Sequence, residues 1–126
     1  MTEFEALLRL HMTRGIGTRT YQALIERFGS SEATLDAPRA ELEAVPGIGP
    51  KLATAIIETS RTIDITTEIN LAKEKNVQII PHTSNKYPKH LKAIYDPPLV
   101  LYVKGNILET DVIALAIVGA RRCTYY

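Results

Sequence analysis

A stretch beginning GIGTRTYQALIERF at Gly15 lies without a gap on GIGPKLATAIIETS at Gly47, a period of 32 residues. Gly15/Gly47, Ile16/Ile48, Gly17/Gly49, Ala23/Ala55, Ile25/Ile57 and Glu26/Glu58 are identical, Arg19 faces Lys51, and Leu24 faces Ile56. Chance rarely matches glycines and apolar spacing together, so the first half reads as two copies of one supersecondary unit.

The flanks of both copies are helical in pattern. Phe4, Leu7, Leu8 and His11 share a face, and Thr2 with Glu5 has the spacing of a capping box. Tyr21, Leu24, Ile25 and Phe28 continue the period to Gly29, a left-handed stop. Pro38, Leu42 and Val45 predict a short helix before the second copy, and Leu52, Ala55, Ile56 and Thr59 begin another after it. That helix falters across 61–67, where β-branched residues crowd, resumes with Ile69 and Ala72, and ends in a turn at Lys75 and Asn76.

A Gly-apolar-Gly step between helices allows positive φ and leaves no Cβ over the backbone, so amide N–H groups converge as a nest suited to phosphate. Arg19 and Lys51 then fall in the first turn beside that anion. The pattern resembles a doubled helix-hairpin-helix motif, which implies backbone contact with nucleic acid through Gly15, Gly17, Arg19, Gly47, Gly49 and Lys51. Charge weighs the other way. Residues 1–60 hold six basic side chains against eight acidic ones, a balance of −2, without the basic stripe that neutralises phosphates. A scaffold or protein-docking role therefore stays open beside DNA contact.

From Val77 the pattern changes. Val77, Ile79 and Ile80 predict a strand ending at Pro81. Pro88 opens a helix with Leu91 and Ile94 inward and Lys86, Lys89 and Lys92 in water, and the three lysines form a candidate basic face. Asp96, Pro97 and Pro98 end that helix, and 99–103 is a second strand closed by Gly105 and Asn106. The apolar run 113–118 predicts a strand buried on both faces of a parallel sheet, with Gly119, Ala120, Arg121 and Arg122 directly after it. Such a turn sits where a nucleotide-binding fold holds phosphate, although the GxGxxG pattern is absent.

Composition sets the remaining bounds. At 126 residues and 45% apolar content the chain can bury a core, and its net charge of +1 decides nothing about a polyanionic partner. Residues 61–126 carry nine basic against six acidic side chains, so the basic surplus of +3 lies in the second half. The lone Cys123 forbids an intramolecular disulfide, and with His11, His82 and His90 it never reaches zinc-site spacing. The longest apolar run, 112–120, is nine residues, about half of a transmembrane helix, and the N-terminus is acidic where a secretory signal is basic. The expected compartment is the cytoplasm.

The order of these features matters more than any one of them. A doubled helix-hairpin-helix, Tyr87-Pro88 with Leu91 and Ile94, Asp96-Pro97-Pro98, Leu101-Tyr102 with Lys104-Gly105, and Ile117-Val118-Gly119-Ala120-Arg121 together resemble the DprA (Smf) family of DNA-processing proteins. The resemblance implies an α+β chain. An all-α, SAM-like double helix-hairpin-helix domain at 1–76 precedes the incomplete start of an extended Rossmann-like domain at 77–126. It also implies a mediator rather than an enzyme, without cofactor or metal, that binds and protects incoming single-stranded DNA in natural transformation, helps load RecA, and dimerises. The family's phosphate-binding turn maps to Gly119, Ala120 and Arg121, with Arg122 adding attraction. Ala120 stands where serine is usual, which removes a hydroxyl donor. Because no crossover helix follows the last strand, residues 1–126 are expected to be a fragment that binds single-stranded DNA weakly or not at all. The competing readings are a helix-hairpin-helix module of a DNA repair enzyme, a nucleotide-hydrolysing Rossmann enzyme for which no general base is visible, and a protein-docking domain.

Overall fold

The computed structural model describes residues 1–108 and 115–122. Thr2 caps α1 (Glu3–Met12) through the reciprocal bonds of a capping box with Glu5. The hairpin at 13–17 leads to α2 (Thr18–Phe28), which stops at Gly29 with φ of +86°. A short α3 (Ser31–Asp36) follows. Its signal in the sequence is a cap and not a periodicity: Ser30 Oγ accepts from the Ala33 amide, and Glu3 of α1 accepts from the Ser31 and Glu32 amides. Then come α4 (Arg39–Glu43), the second hairpin, and α5 (Pro50–Thr62), which has proline at its first position.

The break expected across 61–67 is confined to Ile63 and Asp64. Asp64 caps α6 (Ile65–Glu74) by accepting from the Thr67 amide and hydroxyl, so the β-branched residues Ile65, Thr66 and Thr67 sit inside a helix despite their propensity. The hydroxyl of Thr67, followed by its amide, holds the Asp64 carboxyl below the ordinary range. Asn76, at φ of +55°, turns the chain into β1 (Val77–Pro81). A single helical turn, α7 (Lys89–Lys92), intervenes before β2 (Val100–Lys104). The two strands pair antiparallel, with Ile79 opposite Tyr102 and Pro81 opposite Val100.

One core joins both halves. Leu7, Leu10, Leu24, Leu42 and Ile56 are almost fully buried, and Leu99 and Val100 from the strand side belong to the same cluster. Burying each of these aliphatic side chains contributes about 1.5–3 kcal/mol. The 32-residue repeat is visible in this core, where Leu10 matches Leu42 and Leu24 matches Ile56. At the joint His11 of α1 meets the Tyr102 ring, centroids 6.2 Å apart. Burial, with the Glu68 carboxylate beside it, pushes the Tyr102 hydroxyl up to about 12.

Two expectations change. Ile94 does not point inward but is 49% exposed, because α7 ends at Lys92 and its face never reaches position 94. The apolar run 113–118 is not a buried strand where it is described. Residues 113 and 114 lie outside the described residues, and Leu115, Ile117 and Val118 are 88–91% exposed in irregular chain. A strand buried on both faces needs neighbours on both edges, and among the described residues β1 and β2 pair only with each other. No described helix is long and apolar enough to cross a membrane.

Candidate nucleic-acid interface

The two hairpins share one backbone path. Each leading glycine is left-handed, Gly15 at φ of +96° and Gly47 at +86°, whereas Gly17 and Gly49 are extended residues that precede α2 and α5. Positive φ is thus needed only at the leading glycine of each pair. The amide of Ile16 bonds the Thr13 carbonyl at 3.3 Å, and that of Ile48 bonds the Val45 carbonyl at 3.0 Å, so both apolar residues plug the core while the glycines stay outside. The first amides of α2 and α5 have no carbonyl one turn earlier to bond.

What surrounds the hairpins differs. Pro46 and Pro50 stand where the first copy has Arg14 and Thr18, which removes two amide donors from the second. Thr18 is buried, and its hydroxyl donates to the Pro97 carbonyl 79 residues away. That bond pins the loop at 95–98 against the first hairpin. The Tyr87 hydroxyl holds the same loop by donating to the Pro98 carbonyl at 2.7 Å. On its outer side the Arg19 guanidinium lies 4.1 Å from the centroid of the Tyr95 ring, which is 83% exposed. No periodicity marks Tyr95. The usable signal is an aromatic placed in a proline-ended polar turn, where no core can take it.

The basic side chains of the first 60 residues are largely committed. Arg9 donates to the Ile63 carbonyl at 2.6 Å and more weakly to that of Thr59, which caps the end of α5 with positive charge. Arg39 pairs with Glu43 at 3.5 Å, and Arg27 lies over Phe28. Arg14 and Lys51 are exposed and make no hydrogen bond or ion pair among the described residues. Arg19 and Lys51 sit at equivalent places in the first turns of α2 and α5.

Lys86, Lys89 and Lys92 are all exposed. Lys86 and Lys89 border an open cleft of about 840 Å³ that Ile80, Tyr87, Val103 and Ile107 also line. Gly119, Ala120, Arg121 and Arg122 are exposed in irregular chain, separate from the hairpins in sequence and with no hydrogen bond to them. His82 packs edge-on against Tyr87, centroids 5.2 Å apart; burial, then the charge of Lys92, lowers its pKa. Among the described residues no three His, Cys, Asp or Glu side chains gather as a metal site.

Comparison with known proteins follows this division of the chain. Residues 78–126 match the family of DNA recombination-mediator protein A, and residues 4–62 match the SAM-like helix-hairpin-helix tandem. Over 55 residues the chain is 44% identical to the DNA processing protein DprA of Bacillus subtilis, covering 43% of this chain and 18% of that protein. Over 39 residues it is 46% identical to protein Smf of Borreliella burgdorferi, 31% of this chain and 12% of that protein. A DNA ligase of Desulforudis audaxviator is 50% identical over 44 residues, 35% of this chain and 6% of the ligase. No solved structure matches. The chain is thus similar over residues 78–126 to the DprA (Smf) family of DNA-processing proteins and over residues 4–62 to the SAM-like helix-hairpin-helix tandem, and its matches span less than a fifth of the DprA and Smf relatives.

Proposed function

We propose that the protein binds single-stranded DNA as a recombination mediator, protecting incoming strands and passing them to RecA without catalysing a reaction. The observation that carries this reading is the match of residues 78–126 to the DNA recombination-mediator family, because that segment contains the turn at Gly119, Ala120 and Arg121. In this role Arg121 supplies a fork of donors to phosphate oxygens, Arg122 adds charge, and the remainder of a Rossmann-like domain and a second copy of the chain complete the groove. Exposure of both arginines is compatible with that role. The test is oligothymidylate binding across a salt series. Arg121→Ala is expected to weaken binding several-fold and to lower the salt slope by about one, with duplex DNA a poor competitor. An unchanged slope and affinity would remove the turn from the site.

The ligase similarity favours a second reading, a duplex-binding helix-hairpin-helix module. It requires Arg19→Glu with Lys51→Glu to abolish duplex binding. The acidic balance of residues 1–60 speaks against it.

A further inference from the structure

We propose that Tyr95, backed by Arg19, is a stacking platform for one unpaired base of single-stranded DNA, a contact separate from the turn at 119–121. The inference rests on the reading that the protein binds single-stranded DNA. A large aromatic ring that is 83% exposed usually reflects a floppy loop, but this loop is fixed at three points. Thr18 holds the Pro97 carbonyl, Tyr87 holds the Pro98 carbonyl, and Pro97 is itself buried. Two consecutive prolines set φ immediately after the turn, so little further ordering is needed when a ligand arrives.

The Arg19 guanidinium lies over one face of the ring, and Tyr95 nevertheless keeps 83% of its surface in solvent. An open π-face beside a cation matches a nucleobase with its phosphate: the base stacks on tyrosine while the guanidinium meets the phosphodiester. The charge of the flanking sequence agrees. Residues 86–98 hold three lysines against Asp96 alone, and Arg14 lies exposed in the hairpin that leads into α2. A protein partner would look for apolar area instead, and here the neighbouring exposed aliphatic is Ile94 at 49%. A stacking contact of this kind favours single strands, because a base inside a duplex cannot offer its face.

The experiment is photocross-linking of the protein to oligothymidylate carrying 5-iodo-deoxyuridine, read by peptide mass spectrometry, with affinities of variants measured at low salt. Cross-links at Tyr95, a loss of about tenfold in Tyr95→Ala and near-normal binding in Tyr95→Phe are expected. Cross-links confined to other positions, such as 119–122, with unchanged affinity in Tyr95→Ala would overturn the platform and leave single-stranded DNA binding in place. Absence of binding and of any cross-link in the full-length protein would overturn both. If Tyr95→Ala alters self-association in light scattering while oligonucleotide binding is unaffected, the ring is a protein contact and the proposal fails.

Discussion

Gly15 and Gly47 hold the same position in two copies of one unit, yet a methyl group grown at Gly15 would meet Leu52 Cδ1 at 3.3 Å and one grown at Gly47 would meet nothing. The same contrast runs through the whole pair. The first hairpin is pressed by α5 on one side and by the loop at 95–98 on another, while the second faces solvent with two prolines in place of donors. A duplicated motif here shares its backbone and divides its work: one copy became the joint between the helices and the strands, and the other kept the fold's geometry alone. What distinguishes them lies at Arg14/Pro46 and Thr18/Pro50, positions outside the identical residues that reveal the repeat.

Substituting the leading glycines is the harshest way to break the comparison. Gly15→Ala and Gly47→Ala each force a Cβ into positive φ at about 1–2 kcal/mol, and Gly15→Ala must also displace Leu52, so it should be the more damaging in urea unfolding. Equal losses would mean that the contact with α5 has no energetic weight. Next in size is Thr18→Val, which removes the hydroxyl from the Pro97 carbonyl and should cost about 1 kcal/mol, with faster amide exchange across 95–98. Pro50→Ala at the matching position should cost less than 1 kcal/mol, chiefly through a more disordered unfolded chain, and leave that loop unchanged.

The smallest effect concerns the joint itself. Burial of the His11 ring lowers its pKa, outweighing the opposing pull of Glu68, with Tyr102 neutral beside it. Unfolded histidine takes its proton near 6.5 and the folded ring resists, so the stability tied to this group is complete above that pH. It declines as pH falls from about 6.5 towards the folded value. His11→Asn should flatten the dependence of the urea midpoint between about pH 7 and 5, whereas an unchanged slope would place the titration elsewhere.

Local physics was legible in the residues. The Thr2–Glu5 box, the stop at Gly29, the turn at Asn76 and both short strands follow from caps, positive φ and alternation over a few positions. The helix break was legible too, although its cause is the Asp64 cap more than the β-branched cluster. Contacts between distant positions were not. Nothing near Thr18 announces Pro97, and nothing near Arg19 announces Tyr95, because a loop's destination is set by the packing of Leu99 and Val100 into the helical core. The described part of the apolar run, 115–118, departs from expectation for a related reason: its composition specifies burial but cannot say which strands will cover it.

The division of labour between the hairpins is tested most directly by following glycine amides in ¹⁵N NMR while oligothymidylate is added to the full-length protein. With Tyr95 and Arg19 beside the first hairpin and amide donors missing from the second, Gly15, Gly17 and Gly119 should shift and saturate together while Gly47 and Gly49 stay in place. Movement of Gly47 and Gly49 with Gly15 and Gly17 unmoved would contradict the account.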